Sequence, residues 1–321
     1  MSTPRVHGIL QPTLENEANM RVFITGGTGT IGQAIIKELR RGGHEVTGFS
    51  RSEVSDTKLK AIGATPHRGA LDQPASYQSS AAAHDALLHV AFDYGNAIAT
   101  DRVAIEALLA AAKGASAPRV VVYTSGVLVL GNTGTPVDES ASTEGAIPMV
   151  AWRPAHERLT LEAANDAITT AVIRPGFVYG GTKSLIANYA ESARATGAAV
   201  YIGDGKNRMP FVHRDDLAVL YRLVIEKRAQ GIFHGVDGAC PSLASVARAV
   251  TAAIGKGGET SSLPVEEARA KMGLAADALC TDQLVVTKRS AELGWRATHP
   301  PLDTDSGVEA AVAEWKREVG A

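Results

Sequence analysis

Three glycines at a spacing of three, Gly26, Gly29 and Gly32, lie in the run Gly26-Gly27-Thr28-Gly29-Thr30-Ile31-Gly32, directly after the apolar segment Arg21-Val22-Phe23-Ile24-Thr25. A helical pattern follows, with Ile35, Ile36 and Leu39 on one face and Gly42 as its stop. A buried strand, a glycine turn and a helix start in that order suit a pyrophosphate, because the first amides of a helix lack partners of their own and carry the positive end of its dipole. Gly26 allows the tight turn. Gly29 lets the backbone approach the phosphates without a Cβ, and Gly32 lets the helix sit close to the strand. Gly26, Thr28, Gly29, Thr30, Ile31 and Gly32 are the expected loop contacts.

A second stretch with chemistry, Phe49-Ser50-Arg51-Ser52, closes the next apolar segment, which starts at His44. It holds no carboxylate. Arg51 offers a planar fork of donors that fits a phosphate, and Ser50 and Ser52 add hydroxyls. The two cysteines, Cys240 and Cys280, are too few for a disulfide framework or a cysteine zinc site and read as reduced thiols of a cytoplasmic protein. His213, Asp215 and Asp216 stand close together, but no other group at metal-ligand spacing accompanies them, so no metal is expected.

These residues need a scaffold, and the pattern around them names one. Ala86 to Phe92, Arg119 to Tyr123 and Ala171 to Arg174 read as further short strands that are apolar throughout, with another near Thr65–His67. Helical patterns at Asp101–Lys113 and Pro154–Asn165 alternate with them. Apolar strands alternating with helices imply a parallel sheet covered on both faces. Beyond Gly180 the alternation weakens, and helices are expected at Leu185–Thr196, Asp215–Glu226 and Ser242–Ile254. The division is therefore a loose polar extension over 1–19, a nucleotide-binding unit over 20–180, and a smaller substrate-binding region over 181–321 on the sheet edge. In 321 residues, 32 Lys and Arg face 34 Asp and Glu for a net charge of -2, without the cationic surplus that sequence-independent nucleic-acid binding needs. No uninterrupted apolar run is long enough to span a membrane. A small-molecule substrate and a monomer or homodimer are expected.

The glycine spacing after Thr25 resembles the short-chain dehydrogenase/reductase superfamily, in particular its extended and atypical, epimerase/dehydratase-like branch. The resemblance runs nearly the whole length from Met20. It implies a doubly wound parallel Rossmann sheet with a smaller C-terminal substrate region. Gly69-Ala70-Leu71-Asp72 stands where relatives carry Gly-Asp-Leu beside the adenine, and Ala70 replaces the usual acid. His89-Val90-Ala91-Phe92 matches the segment that lines the cofactor, and Arg174-Pro175-Gly176-Phe177-Val178-Tyr179-Gly180 the loop under the nicotinamide. The implied cofactor contacts are Leu71, Val90, Ala91, Phe92, Thr124, His156, Pro175, Gly176 and Val178, together with the glycine loop and Ser50, Arg51 and Ser52. NAD-preferring relatives end the second strand with an acid. Arg51 in its place favours NADP(H) over NAD(H).

The resemblance also locates the chemistry. Its members use a Ser with a Tyr and a Lys four residues apart on one helix. The serine position falls on Gly126, one residue after Ser125, and the Tyr and Lys positions fall on Trp152 and His156. An indole is not a general acid near neutral pH, whereas an imidazole holds a ribose hydroxyl or moves a proton. Pro154 places the helix start beyond Trp152 and weakens the shared face. The expected catalytic groups are Ser125, to polarise the substrate, and His156, or a tyrosine such as Tyr94 or Tyr179, as relocated acid. Tyr94, Ser125, Trp152 and Tyr179 are the expected substrate contacts. His156 as a ribose holder beside a space-filling Trp152 is the alternative. Arg153 and Glu157, four apart, read as a solvated pair. The function expected is NADP-dependent hydride transfer to or from a small carbonyl, alcohol or activated double bond. A catalytically reduced NADP(H) sensor and a sugar-nucleotide epimerase or dehydratase are the alternatives, the latter disfavoured because that chemistry depends on the tyrosine.

Overall fold

The computed structural model describes residues 19–93 and 95–320. The extension expected over 1–19 therefore lies, apart from Asn19, outside the described residues, and so does Tyr94. Strands β1 (Arg21–Thr25), β2 (Glu45–Ser50), β3 (Thr65–Arg68), β4 (Ala86–His89), β5 (Arg119–Thr124) and β6 (Ile168–Pro175) alternate with helices α1 (Thr30–Arg41), α2 (Glu53–Ala61), α3 (Gln78–Ala82), α4 (Ala97–Lys113) and α5 (Arg153–Leu161). The C-terminal part adds strands β7 (Phe177–Tyr179), β8 (Ala199–Ile202), β9 (Phe211–His213), β10 (Gly231–Gly235) and β11 (Thr260–Leu263). Its helices are α6 (Leu185–Thr196), α7 (Arg214–Glu226), α8 (Leu243–Ala253), α9 (Val265–Met272), α10 (Ala275–Ala278), α11 (Arg289–Glu292) and α12 (Asp305–Val319).

The main sheet has seven strands in the order β10-β6-β5-β4-β1-β2-β3, and every pairing is parallel. Its central strands read as unbroken apolar runs because both faces are covered. One face packs Val22, Ile24, Val120, Val122 and Ile173 against α1 and α7. The other packs Phe23, Leu87, Val121 and Val172 against α4. The chain order reverses between β1 and β4, so the crevice over their carboxyl ends is the place where such sheets take ligands.

The fold class is the doubly wound parallel sheet that the sequence implies, but residue 180 does not divide the chain cleanly. Strand β10 pairs with β6 in register Gly231↔Ala171, and α7 packs on α1 through the same core as β1. The chain leaves the sheet after β6 and returns to complete it. The strand pairs β7·β9 and β8·β11, with α6, α8 and α12 around a second core at Tyr189, Val246 and Trp315 and with α9 and α10 packed on β8, form the smaller region. Among the described residues, no helix is long and apolar enough to cross a membrane.

Two buried charges fix α5 to the sheet. Glu157 takes a bidentate pair from Arg174 on β6, at 2.9 and 2.5 Å. Arg153 does not pair with Glu157. It donates to the Thr124 carbonyl at 2.8 Å and to the Tyr123 hydroxyl at 3.3 Å. The expected solvated pair is thus two separate buried attachments. The helix lies against the sheet, so both side chains point inward. Replacing Arg174 by Met leaves Glu157 charged, buried and alone, which costs about 3–5 kcal/mol. The urea midpoint of Arg174→Met should fall accordingly, and the double variant Glu157→Met/Arg174→Met should recover most of the loss. A midpoint unchanged in the single variant refutes this.

Candidate functional site

The glycine loop leaves β1 with Gly26 at φ 73°, a left-handed turn that favours glycine. A Cβ on Gly26 would lie 2.6 Å from the Ala91 amide nitrogen, and one on Gly32 would lie 2.2 Å from the Gly26 carbonyl. Both glycines are therefore set by close backbone packing. Gly29 is different: it is exposed, and a Cβ there would meet only the Gly26 carbonyl at 3.3 Å. Helix α1 has no side-chain cap, and its first backbone bond inside the helix start is Gln33 N–H to the Gly29 carbonyl at 2.9 Å. The amides of Thr30, Ile31 and Gly32 precede that bond and face the crevice end of the helix. An anionic pyrophosphate fits this cradle of free amides at the positive end of a dipole. Thr25 closes the loop from behind, its Oγ1 accepting the Val90 and Ala91 amides at 3.2 and 3.3 Å.

At the end of β2, Arg51 and Ser52 are exposed, and Ser52 caps α2 by accepting the Ser55 amide. Ser50 departs from its expected role. It is buried, and its hydroxyl donates to the carboxylate of Asp56, which Arg68 also engages. The second-strand end is thus not free of acid. Helix α2 brings Asp56 to it from six residues on, a placement that the local stretch did not reveal. The Ser50 hydroxyl and then Arg68 hold Asp56 below the usual carboxylate range. Arg68 ends β3 opposite Ser50, the residue before Arg51. Leu71 is buried just beyond β3.

The expected acid, His156, lies one turn into α5. Trp152 precedes the helix, as Pro154 implied, but its backbone is already helical, and its ring meets His156 edge-on at 4.9 Å. The shared face survives. Trp152 Nε1 donates to the Met149 carbonyl at 3.2 Å. His156 is buried, and its Nδ1–H donates to Asp101 Oδ2 at 2.7 Å. Asp101 is the residue that local pattern misplaced. Helix α4 begins at Ala97, so Asp101 is not at its start but inside it, on the face against β4 and β5.

Three donors meet at Asp101. His156 and the Tyr123 hydroxyl, at 3.0 Å, donate to Oδ2, and His89 Nε2–H donates to Oδ1 at 3.2 Å. Because Thr25 Oγ1 already accepts two amides, its hydroxyl proton goes to His89 Nδ1 at 2.8 Å. His89 is thereby fixed as the neutral Nε2–H tautomer. Burial works against the Asp101 charge, but the bonds from His156 and His89 prevail and hold it well below the usual carboxylate range. Burial drives the Tyr123 phenol far up, so it stays a donor. The chain Thr25–His89–Asp101–His156 connects the glycine loop to α5, and His156 Nε2 has no partner among the described residues.

Other expected residues fall into place unevenly. Thr124 ends β5, and its hydroxyl pairs with Tyr221 at 2.7 Å. Ser125 is 8% exposed, with its Oγ buried and unpartnered among the described residues. Gly126 has extended backbone, and a Cβ there would meet nothing nearer than the Pro175 carbonyl at 3.9 Å. A serine would fit at Gly126, so packing does not require its absence. Pro175, Gly176 and Val178 follow β6. Tyr179 is buried against Phe211 and His213, its hydroxyl donating to the Pro300 carbonyl at 3.5 Å, and burial raises its phenol far above the usual value. That is a packing position. Phe92 is half-exposed, with the Arg153 guanidinium 5.4 Å above its ring.

The model of the NAD dependent epimerase/dehydratase family matches residues 22–234. An uncharacterized protein of Schizosaccharomyces pombe is 32% identical over 308 residues, covering 91% of this chain and 99% of that protein. The 2-alkyl-3-oxoalkanoate reductase of Stenotrophomonas maltophilia is 29% identical over 230 residues, 66% of this chain and 67% of the reductase. Among solved structures, the human epimerase family protein SDR39U1 with NADPH superposes with a TM-score of 0.76 at 22% identity, covering 92% of this chain and 99% of that one.

Asp101 has a depressed folded-state pKa, so its contribution to stability is present above the unfolded carboxylate value of about 3.9 and is lost as pH falls through the folded one. Asp101→Asn should therefore melt lower than the wild type at pH 7. The gap should narrow on acidification below about pH 4. Thermal scans at the two pH values test this. A gap that does not change with pH removes the charge from the account.

Proposed function

This chain belongs to the NAD dependent epimerase/dehydratase family, and on that premise we propose that it is an NADP(H)-dependent oxidoreductase acting on a small carbonyl, alcohol or activated double bond, with His156 as its proton donor. The observation that carries the proposal is the buried His156–Asp101 hydrogen bond of 2.7 Å at the helix position where the family's lysine falls. A carboxylate on Nδ1 orients an imidazole and stabilises the cation formed when Nε2 takes a proton. Asp101 does this for His156, and the bonds from His156 and His89 keep Asp101 ionised.

The cofactor would lie with its pyrophosphate on the amides of Thr30, Ile31 and Gly32, its 2′-phosphate against Arg51 and Ser52, and its nicotinamide end above Val90, Ala91, Thr124, Pro175, Gly176 and Val178. When bound it supplies or accepts a hydride. Arg68 joins Arg51 as a second cation for the 2′-phosphate, shared with Asp56. As the imidazolium, with Nδ1–H on Asp101, His156 gives its Nε2 proton to the substrate atom that gains charge and is left as the neutral ring, and Trp152 covers the imidazole. Ser125 polarises the substrate once its hydroxyl turns from its buried position.

The missing serine and tyrosine also support a second reading, an NADP(H)-binding sensor that does not turn over. NADPH with a panel of aldehydes, ketones, imines and enones, followed by absorbance, separates the two. The enzyme predicts turnover on a member of the panel and a loss of about 10²–10⁴-fold in His156→Ala with NADPH binding kept. Intact NADPH binding without turnover on any member favours the sensor. Calorimetry tests the cofactor preference. Arg51→Ala should weaken NADPH by roughly 10- to 100-fold, since a charged hydrogen bond is worth about 1.5–3 kcal/mol, and leave NADH nearly unchanged. Wild-type protein that binds NADH more tightly than NADPH overturns the preference.

A further inference from the structure

Away from the dinucleotide crevice, α7, α12 and the segment after Trp295 converge on two stacked histidines. The rings of His213 and His299 lie 3.6 Å apart, centre to centre. We infer that His213, His299 and Asp215 form a site for one divalent transition-metal ion of the zinc class. One ligand atom from each lies within 4.8 Å of the others.

Their outer partners decide which nitrogens carry the lone pair. His213 Nε2–H donates to Glu314 Oε2 at 2.8 Å, while Nδ1 accepts the Asp215 amide at 3.2 Å and so carries the lone pair. His299 Nδ1–H donates to Asp216 Oδ2 at 2.9 Å, which leaves Nε2 as its ligand atom. A carboxylate on the far nitrogen of each ligating imidazole is the arrangement that orients metal-bound histidines. The Asp216 carboxylate is itself pinned by the Thr298 hydroxyl at 2.6 Å and the His299 amide at 3.0 Å, so it is held in place as the acceptor for His299.

Shape and charge agree with a cation. The cluster borders a cavity of about 260 Å³ lined also by Tyr179, Pro300 and Arg317, which leaves room for water as a further ligand. Asp215 and Glu314 line it and Asp216 bonds His299, against Arg317 in the wall, while the nearby Arg214 is taken up by Glu314 and Glu318. Two imidazoles with one carboxylate select zinc-like ions over magnesium or calcium. Ligands of a tetrahedral zinc ion stand about 3.4 Å apart. His213 Nδ1 and Asp215 Oδ2 are at 3.9 Å, and the exposed members, Asp215 at 58% and His299 at 37%, close the remainder. Binding splays the stacked rings, because each lone pair has to point at the ion, and gives up the bond that caps α7. His299 lies 83 residues beyond Asp216, which is why spacing around His213 did not suggest a metal.

The test is titration of Zn²⁺ into the full chain, stripped with a chelator, at pH 7.5, by calorimetry and by thermal melting. The wild type should take one equivalent and melt higher with Zn²⁺. Asp215→Asn and His299→Ala should each weaken binding at least tenfold and lose the melting shift. The exposed Asp215→Asn keeps the test valid if His299→Ala does not fold. No Zn²⁺ binding by the wild type, or unchanged affinity in either folded variant, overturns the site.

Discussion

Asp101 carries a negative charge into the interior between α4, β4 and β5, and that charge is tolerable only because His89, Tyr123 and His156 all donate to it. The requirement propagates. Tyr123 has to stay protonated, and burial ensures it. His89 has to present Nε2–H, and Thr25, behind the glycine loop, determines that tautomer. His156 has to approach from α5, and the Glu157–Arg174 and Arg153–Thr124 attachments hold the helix there. The loop for the phosphates and the helix with the proton donor are thus parts of one polar network in an apolar sheet. In a low-dielectric interior such a network is valuable when complete and costly when broken.

The glycine loop depends on a different constraint, the contact of backbone with backbone. Gly26 and Gly32 are where they are because a single Cβ would collide with main-chain atoms that cannot move. At their neighbour Gly29, which is exposed, a Cβ would press only on the Gly26 carbonyl, at 3.3 Å. The distinction separates glycines that build the cradle from the one that leaves room for its occupant. Gly126 belongs to neither class, since a side chain would fit there.

The C-terminal part supports the sheet as well as adding a region to it. Strand β10 completes the sheet, and Glu139 secures it by accepting the amides of His234, Lys288 and Arg289. The buried Trp295 indole donates to the Asp216 carbonyl, which ties the last segment to α7. The two-part division in the chain is therefore one of layers and not of independent units.

Period and local chemistry sufficed for much of this. Runs such as Arg119 to Tyr123, apolar at every position, imply a parallel sheet because only a strand covered on both faces looks that way. The spacing of Gly26, Gly29 and Gly32 implies the phosphate cradle because the turn is local and its steric demands fall within seven residues. The resemblance located His156 but not its partner. Asp101 looked like a helix-start acid, since nothing within its own helix shows that β4, β5 and α5 deliver three donors to it. Arg153 and Glu157 looked like a surface pair, because four-residue spacing brings side chains together only when both stay outside. Asp56 beside Ser50, and His299 on His213, were equally hidden. Hydrogen bonds and charges act over a few ångströms, so residues far apart in sequence share a partner only after the sheet order has brought them together. The sequence alone determined the class of fold and the location of the cradle, whereas the tertiary structure decided which buried charges meet and in which protonation states.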